Sequence, residues 1–256
     1  MDFQFASFSD LQDKTVLITG GGSGIGAAFV EAFVMQGSQV AFFDIQAEVS
    51  NELVSRLASN SPKPLFLKCD LTDIKALKKA VSEVENKLGA VRVLINNAAN
   101  DERHEPGDVT PEYWEQQLRA NFSHHFFAAQ AVKPEMARAG GGAIINMGSI
   151  SWHMALEFMP AYTSSKAAIE GLTQSLARAY GKEHIRVNCI IPGQVWTPRQ
   201  IRDYLTPEYE QFMNEKQCLP GKILPEDIAQ LALFLASDAS RMCTRRNYYM
   251  DAGIGA

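Results

Sequence analysis

Three side chains in the second half of the sequence could together move a proton. Tyr162 and Lys166 are four residues apart in a helical pattern, so they share one face of a helix. A phenol has a reference pKa of about 10, but a neighbouring ammonium favours the phenolate and lowers that pKa. Ser149 could hydrogen-bond a substrate hydroxyl and orient it towards the tyrosine. A Tyr/Lys pair at this spacing is more often a surface contact, so it needs support from the rest of the sequence.

A glycine-rich turn near the N-terminus is suited to binding a pyrophosphate. It joins the first predicted strand to the first predicted helix, between Thr19 and Gly26. Glycines there let the backbone approach phosphates, and the helix N-terminus adds unpaired N–H groups. Taken alone, the turn could equally be a tight loop. The candidate cofactor-binding residues in it are Gly20, Ser23, Gly24, Ile25 and Gly26.

Two carboxylates follow the next two predicted strands, and they bear on the choice of cofactor. Asp44 stands where a carboxylate can accept hydrogen bonds from adenosine ribose hydroxyls. It would repel the 2′-phosphate of NADP, and neither Ile45 nor the glycine turn offers a compensating cation, so NAD is favoured. Asp70, followed by Leu71, could bond the adenine amino group. Either aspartate could instead cap a helix.

These features occur together in the order and spacing of the short-chain dehydrogenase/reductase family. The motifs are Thr19-Gly20-x-x-x-Gly24-x-Gly26, Asn96-Asn97-Ala98-Ala99, Ser149, Tyr162-x-x-x-Lys166 and Pro192-Gly193. Ser149 precedes Tyr162 by 13 residues, which matches the family gap. The sequence therefore resembles this family from about Leu11 to Gly253.

The resemblance implies a role for each matching residue. Tyr162 matches the general acid/base, Ser149 the residue that positions the reacting oxygen, and Lys166 the residue that binds the nicotinamide ribose and lowers the tyrosine pKa. Tyr162 and Lys166 are thus expected to contact the cofactor as well. Asn121 matches an asparagine that holds a water in a proton relay behind the lysine. The other cofactor-side positions that match are Asn97, Pro192, Val195 and Thr197, and no metal is implied.

Three strings depart from the family pattern. Ala99 stands where the family usually has glycine, Thr244-Arg245-Arg246-Asn247 replaces Thr-Gly-Gln, and Ala252 replaces the first glycine of Asp-Gly-Gly. Glycine adopts backbone conformations that other residues rarely take. The two later departures put the last predicted strand and its packing between subunits in doubt.

Further strings, at residues 96–104, 148–153 and 191–200, resemble a narrower group within the family. These are bacterial sugar 1-dehydrogenases, which oxidise free aldoses such as D-xylose, L-arabinose or L-fucose to lactones. The strings carry groups that could pair with sugar hydroxyls or stack on a pyranose, although any of Arg103, His104 and His153 is as easily part of a loop-bracing network. The candidate substrate residues are Asn100, Asp101, Arg103, His104, Ser149, Trp152, His153, Gln194 and Trp196.

The predicted reaction is the NAD-dependent oxidation of a pentose or 6-deoxyhexose at C1 to an aldonolactone, with Tyr162 as the base. One alternative is a dehydrogenase of a non-sugar secondary alcohol or a 3-hydroxyacyl group, although a steroid or fatty-acyl pocket would need a more apolar lining. Another is an NAD-binding regulator without turnover. Such a regulator would be expected to have lost part of the set Asn121, Ser149, Tyr162 and Lys166, which is complete here.

The elements that must position these residues alternate along the chain. Apolar runs predict strands at about 14–19, 39–43, 65–69, 91–95, 143–147, 185–190 and 248–250, and helical patterns lie at about 25–35, 74–87, 112–138, 161–180 and 225–236. This alternation predicts an α/β fold, a single-domain Rossmann fold with a doubly wound parallel sheet of about seven strands and helices on both faces. Residues 192–224 are irregular and are predicted to be a lid over the site.

Composition excludes several classes of protein. The 256 residues, 46% of them hydrophobic, suit one globular domain spanning 1–256. A net charge of -5 argues against nucleic-acid binding through a broad basic surface. The four cysteines are too widely spaced for a zinc cluster and are expected to be reduced thiols.

The location and assembly of the protein follow from similar arguments. The start of the chain lacks the pattern of a secretory signal, and no segment reaches the roughly 20 apolar residues of a membrane span. We therefore expect a cytoplasmic protein that acts on a small-molecule sugar and contacts neither membrane nor nucleic acid. Family members commonly form tetramers through the helices that correspond to residues 112–138 and 161–180, so the resemblance implies a homotetramer.

Overall fold

A computed structural model describes residues 4–59 and 62–254 of the chain. The N-terminal segment considered above therefore has its first three residues outside the described part. Seven short runs form strands, namely β1 (Thr15–Thr19), β2 (Gln39–Asp44), β3 (Leu65–Lys68), β4 (Val91–Asn96), β5 (Gly142–Met147), β6 (Ile185–Pro192) and β7 (Asn247–Met250). They pair in parallel in the order β3-β2-β1-β4-β5-β6-β7, which confirms the predicted fold class.

Helices connect the strands and cover both faces of the sheet. They are α1 (Gly24–Met35), α2 (Ala47–Arg56), α3 (Ile74–Leu88), α4 (Pro111–Leu118), α5 (His124–Arg138), α6 (Pro160–Tyr180), α7 (Pro198–Asp203), α8 (Pro207–Lys216) and α9 (Pro225–Ala236). Single helical turns lie at Ser9–Leu11, Pro106–Asp108, Gly181–Glu183 and Asp238–Ser240.

The central strands are buried on both faces, which explains their continuous apolar runs, whereas the edge strands β3 and β7 are only partly buried. In β1, Val16 and Ile18 pack with α1 and α9, whereas Leu17 packs on the opposite face with α3 and α5. Successive side chains of a strand point to opposite faces, so each strand contributes to two separate cores. The chain changes direction across the sheet between β1 and β4, and ligands bind at such switch points, beyond the carboxyl ends of the strands.

Three elements differ from the sequence prediction. The helix α2 was not predicted. The single helix expected at 112–138 is divided into α4 and α5 by a π-helical segment at Arg119–Ser123, because the hydrogen-bond register widens locally there. The predicted irregular segment at 192–224 contains α7 and α8, whose N-terminal turns are capped by the hydroxyls of Thr197 and Thr206.

The last strand forms despite the departures from the family pattern. β7 pairs with β6 from Cys189↔Asn247 to Pro192↔Met250. Arg245 (φ 64°) and Ala252 (φ 55°) adopt the left-handed conformation that glycine takes most easily. Ala99, by contrast, keeps a φ outside that region. The two later departures therefore cost backbone strain without preventing the strand.

Two further expectations concern the chain as a whole. All four cysteines lie among the described residues and are free thiols. Over residues 4–59 and 62–254, none of the helices combines the length and the apolar character that crossing a bilayer requires.

Candidate active site

A cavity of about 680 Å³ lies beyond the carboxyl ends of the strands, between the glycine turn and the helices α7 and α8. This volume lies within the range of small-molecule binding sites. Most of the predicted site residues line it: Gly20, Ser23, Gly24, Ile25, Gly26, Asp44, Asp70, Leu71, Asn97, Asn100, Arg103, Ser149, Tyr162, Lys166, Pro192, Gln194, Val195 and Thr197.

The glycine turn is packed so closely that a side chain would collide with its neighbours at several positions. A Cβ at Gly26 would lie 1.8 Å from the carbonyl oxygen of Gly20, and one at Gly20 would lie 2.8 Å from the Cα of Ala98. Ser23, the N-cap residue of α1, makes no capping side-chain hydrogen bond in the described structure. The N–H groups that begin α1 therefore reach the cavity without a side-chain cap, as anion binding requires.

Asp44 braces this turn through both of its carboxylate oxygens. Oδ2 accepts a hydrogen bond from the backbone N–H of Gly22 at 2.9 Å, and Oδ1 accepts one from that of Gln46 at 2.9 Å. The side chain is 8% exposed and lines the cavity beside Ile45 and Gln46. None of the described residues that line the cavity next to this carboxylate therefore carries a positive charge that could compensate its negative charge.

Asp70 and Asn97 stabilise the neighbouring strand ends. Asp70 Oδ1 accepts hydrogen bonds from the backbone and the hydroxyl of Thr72, while Asp73 caps α3. Asn97 donates through Nδ2 to the carbonyl oxygens of Thr19 (3.1 Å) and Gly20 (3.0 Å). Asn97 therefore ties the end of β4 to the glycine turn.

The middle of the cavity, between the glycine turn and the helices α7 and α8, brings together Tyr162, Lys166 and Ser149. Tyr162 and Lys166 lie on one face of α6, with the Lys166 Nζ 5.3 Å from the centre of the tyrosine ring. Ser149 follows β5, and its side chain favours the phenolate form of Tyr162. Its Oγ accepts a hydrogen bond from the N–H of Ser151 at 3.0 Å. The predicted trio is thus assembled within one cavity.

Lys166 is a buried cation. Its side chain is 2% exposed, and Nζ donates to the carbonyl oxygen of Met147, at the end of β5, at 2.8 Å. Burial lowers the pKa of Lys166 to about 8, with Asp101 acting in the opposite direction. Since 8 lies above neutral pH, the ammonium form still predominates at pH 7.

The structure around Tyr162 does not match the expectation that Lys166 lowers the pKa of this tyrosine. Burial, followed by the negative charge of Asp101, raises the pKa of Tyr162 above its ordinary value. The polar side chain of Ser149 and the positive charge of Arg199 act in the opposite direction. The protein alone therefore favours the neutral phenol, because the loss of solvation on burial exceeds the favourable interactions.

Asn121 lies behind the cavity wall, in the π-helical segment. It is fully buried, its Oδ1 accepts from the backbone N–H of Asn100 at 2.6 Å, and its Nδ2 donates to Gln117 at 2.9 Å. Its side chain therefore holds the start of the loop that follows β4. Local widening of a helix often marks a functional position.

Four predicted substrate residues do not line this cavity in the described part of the chain, so their contact with substrate stays a prediction. His104 shares a hydrogen bond with the hydroxyl of Tyr113 at 3.0 Å. Trp152 and His153 bond instead to Glu170 (2.7 and 3.3 Å), and Trp196 lies under the ammonium of Lys222, 3.8 Å from its ring centre. Their groups already have protein partners, and periodicity does not show which way a loop side chain points.

Glu170 connects the loop after Ser149 to two other elements. One carboxylate oxygen accepts from Trp152 and His153, and the other accepts from the side-chain amide of Asn247 in β7. Glu170 is one further turn along the α6 face that carries Tyr162 and Lys166. The same helix face thus presents the reactive groups and holds the loop that carries Ser149.

The sequence did not single out several residues that line the substrate end of the cavity. Arg199 and Gln200 on α7 both contact Asp101, at 3.1 and 2.6 Å, and Tyr209 on α8 donates to Gln194 at 3.3 Å. These residues belong to short, polar helices that lack an apolar period. The sequence does carry one signal for these two helices, namely Thr followed by Pro at 197–198 and 206–207, which is typical of a helix start.

Comparison with known proteins gives consistent matches over nearly the whole chain. The family model described as "Enoyl-(Acyl carrier protein) reductase" matches residues 20–255. D-xylose 1-dehydrogenase from Caulobacter vibrioides is 48% identical over 97% of this chain and 98% of that protein. "Probable galactose dehydrogenase GalD" from Rhizobium meliloti is 46% identical over 99% and 100%. The crystal structure of a blue fluorescent protein from a metagenomic library, in complex with NADPH, is 30% identical with a TM-score of 0.88 and covers 96% of this chain and 100% of that one.

The role assigned to Glu170 predicts a loss of stability when its carboxylate is removed. Glu170→Ala leaves the donors of Trp152 and Asn247 without their acceptor, so the free energy of unfolding should fall by about 1–3 kcal/mol. Urea-induced unfolding measures this. Ser175→Ala, at an exposed position of the same helix, is the control and should change stability by no more than about 0.5 kcal/mol. Equal unfolding midpoints for the two variants would contradict the bracing role.

Proposed function

The chain belongs to the short-chain dehydrogenase/reductase family, and we propose that it oxidises a free aldose at C1 to an aldonolactone with NAD. It is an oxidoreductase by its family. The observation that carries the proposal is a single cavity in which Tyr162, Ser149 and Lys166 lie between a glycine turn and a polar substrate end. The match to two full-length sugar dehydrogenases supports an aldose as the substrate.

The fit of a nicotinamide dinucleotide rests on the glycine turn and the strand ends beside it. The close approach of Gly20 to Ala98 and the uncapped start of α1 leave backbone N–H groups for a pyrophosphate. Asp44 and Asp70 lie at the adenosine end, and Pro192, Val195 and Thr197 lie at the nicotinamide end. When bound, the cofactor supplies an acceptor for the C1 hydrogen with its electron pair and a positive charge that favours the phenolate of Tyr162.

In the proposed mechanism, Tyr162 accepts the proton of the anomeric hydroxyl as C1 loses its hydrogen. The electron pair left by the O–H bond then forms the second bond of the lactone carbonyl, while the C–H electron pair leaves C1 together with the hydrogen. Ser149 hydrogen-bonds the reacting oxygen and directs it towards the tyrosine. Lys166, held on the carbonyl of Met147, would bind the cofactor ribose and keeps a positive charge near the phenolate.

NAD is proposed over NADP because of Asp44. A carboxylate already bonded to two backbone N–H groups cannot turn away to admit a phosphate without losing both hydrogen bonds. The 2′-phosphate of NADP would face this charge without a compensating arginine, since Ile45, Gln46 and Val49 line the cavity beside it.

The substrate end of the cavity combines groups that suit a sugar. Asp101, Gln194 and Gln200 present acceptors and donors for several hydroxyls, while Met154 and Met159 offer an apolar surface for the C–H face of the ring. Asn100 and Arg103 line the same region. A mixed lining of this kind favours a polyol over a long acyl chain.

The assembly and location of the enzyme are proposed from the family resemblance. We propose one domain spanning residues 1–256, with 192–224 as its lid, that forms a cytoplasmic homotetramer through α5 and α6. Phe126, Phe127 and Leu172 on these helices are partly buried apolar residues. Light scattering after size-exclusion chromatography should give four times the chain mass of 28.2 kDa; the mass of a monomer would contradict it.

The activity is tested by adding NAD and a panel of pentoses, hexoses and 6-deoxyhexoses to the purified protein. NADH should form with at least one aldose, and Tyr162→Phe should lower kcat at least about 10²-fold, because the base is lost, with NAD binding retained. Tyr113→Phe, which removes a hydroxyl outside the cavity, is the control and should keep its activity. Aldose oxidation that survives in Tyr162→Phe would remove the tyrosine from this role.

The cofactor preference is tested by Asp44→Ala. Removal of the carboxylate should weaken NAD binding and raise the ratio of kcat/KM for NADP to that for NAD by about 10-fold or more, since one repulsive interaction of about 1.4 kcal/mol is lost. Asp70→Ala, at the same end of the cavity, should leave the ratio nearly unchanged. An unchanged ratio in Asp44→Ala would show that this carboxylate only braces the turn.

A further inference from the structure

We propose that Asp101 and Arg199 act as paired positioning charges that make proton transfer at Tyr162 depend on a closed lid. This inference rests on the role proposed above for Tyr162. It adds two residues on opposite sides of the cavity entrance, one in the loop after β4 and one on the lid helix α7. Neither has a place in the mechanism described so far.

The carboxylate of Asp101 is the contact between this loop and the lid. Its Oδ1 lies 3.1 Å from Nη1 of Arg199, and its Oδ2 accepts a hydrogen bond from Nε2 of Gln200 at 2.6 Å. Both partners belong to the first turn of α7, which begins at the capping hydroxyl of Thr197. One carboxylate therefore holds the start of the lid helix against the sheet edge.

The two sides of this contact are anchored differently. Asp101 is 23% exposed, and the preceding residue, Asn100, is tied by its N–H to the fully buried Asn121. Arg199 is 44% exposed, and its other carboxylate neighbour, Asp203, lies on the same short helix. If α7 moves away, Arg199 moves with it, and Asp101 stays in place.

The charges of Asp101 and Arg199 have opposite effects on Tyr162. Asp101 raises the pKa of the phenol and Arg199 lowers it. The other groups that face the phenol are Lys166 on its own helix and Ser149 on the loop after β5. With the lid closed, the charge of Arg199 offsets part of the effect of Asp101. With the lid open, the phenol faces an uncompensated carboxylate and holds its proton more tightly.

The consequence for the reaction is that proton transfer to Tyr162 is coupled to closure of the lid over the substrate. The tyrosine can accept the substrate proton readily only while α7 lies against Asp101, when the substrate is shielded from water. An open site would keep Tyr162 protonated. The ion pair thereby links the lid to the reacting group without touching the reacting atoms.

The test compares the pH dependence of aldose oxidation in wild type, Asp101→Asn, Arg199→Met and the double variant. Asparagine keeps the shape of Asp101 and can still accept from Gln200, so this contact with α7 is retained when the negative charge is removed. The matched controls are Arg202→Met, on the same helix but bonded to Asp203, and Asp108→Asn, an exposed position further along the loop after β4.

A second measurement follows the ionisation of Tyr162 without any sugar. The ultraviolet absorbance of the phenolate is titrated in the NAD-bound protein and compared with the same protein carrying Tyr162→Phe. Cleavage of the lid by chymotrypsin at Tyr204, in the presence of NAD, reports separately whether α7 is held. If no aldose is oxidised, the proposed function fails, but these two measurements still decide on the charge pair.

We expect Arg199→Met to move the pH midpoint for phenolate formation upwards by about half a pH unit or more, and Asp101→Asn to move it downwards. The double variant should lie between the two single variants, and both controls should keep the wild-type midpoint. Arg199→Met should also speed cleavage at Tyr204 at least about threefold, because the charged contact is lost. Shifts of the two single variants in the same direction, or an unmoved midpoint in Arg199→Met, would overturn the proposal.

Discussion

A buried ammonium at the end of a central strand is the constraint around which the site is arranged. Lys166 has almost no solvent contact, and an uncompensated charge in such a place costs several kcal/mol. The carbonyl of Met147 accepts from it at the edge of the sheet, which fixes both the rotation of α6 and its distance from β5. The rotation that places Lys166 on this carbonyl also places Tyr162 in the cavity and Glu170 against the loop of Ser149.

The electrostatics of the tyrosine explain why the site needs more than this lysine. Burial opposes the charged form of Tyr162, so the protein without its cofactor holds a neutral phenol. The proton affinity of Tyr162 is then lowered by positive charges that arrive with ligands or with the lid. In this account the cofactor contributes one charge and Arg199 contributes another, so a competent base exists only in the assembled, enclosed state.

Much of the fold follows from local physics, and the exceptions have identifiable causes. Fully buried parallel strands such as β1 and β4 read as continuous apolar runs, and the glycine turn marks the crossover between β1 and α1. The π-helical segment around Asn121 has no comparable pattern, because it depends on a local change of hydrogen-bond register. The side chains of Trp152 and Trp196 looked suited to a sugar, but their orientation is decided by Glu170 and Lys222, which are distant in sequence.

The central claim is that C1 of a free aldose gives up its hydrogen in the cavity beside Tyr162. The most direct test uses D-xylose carrying deuterium at C1, with NAD, and determines the products by mass spectrometry. The account predicts NADH that contains the deuterium, formed in equal amount with xylonolactone. NADH without deuterium, or no NADH from any aldose labelled in this way, would contradict it.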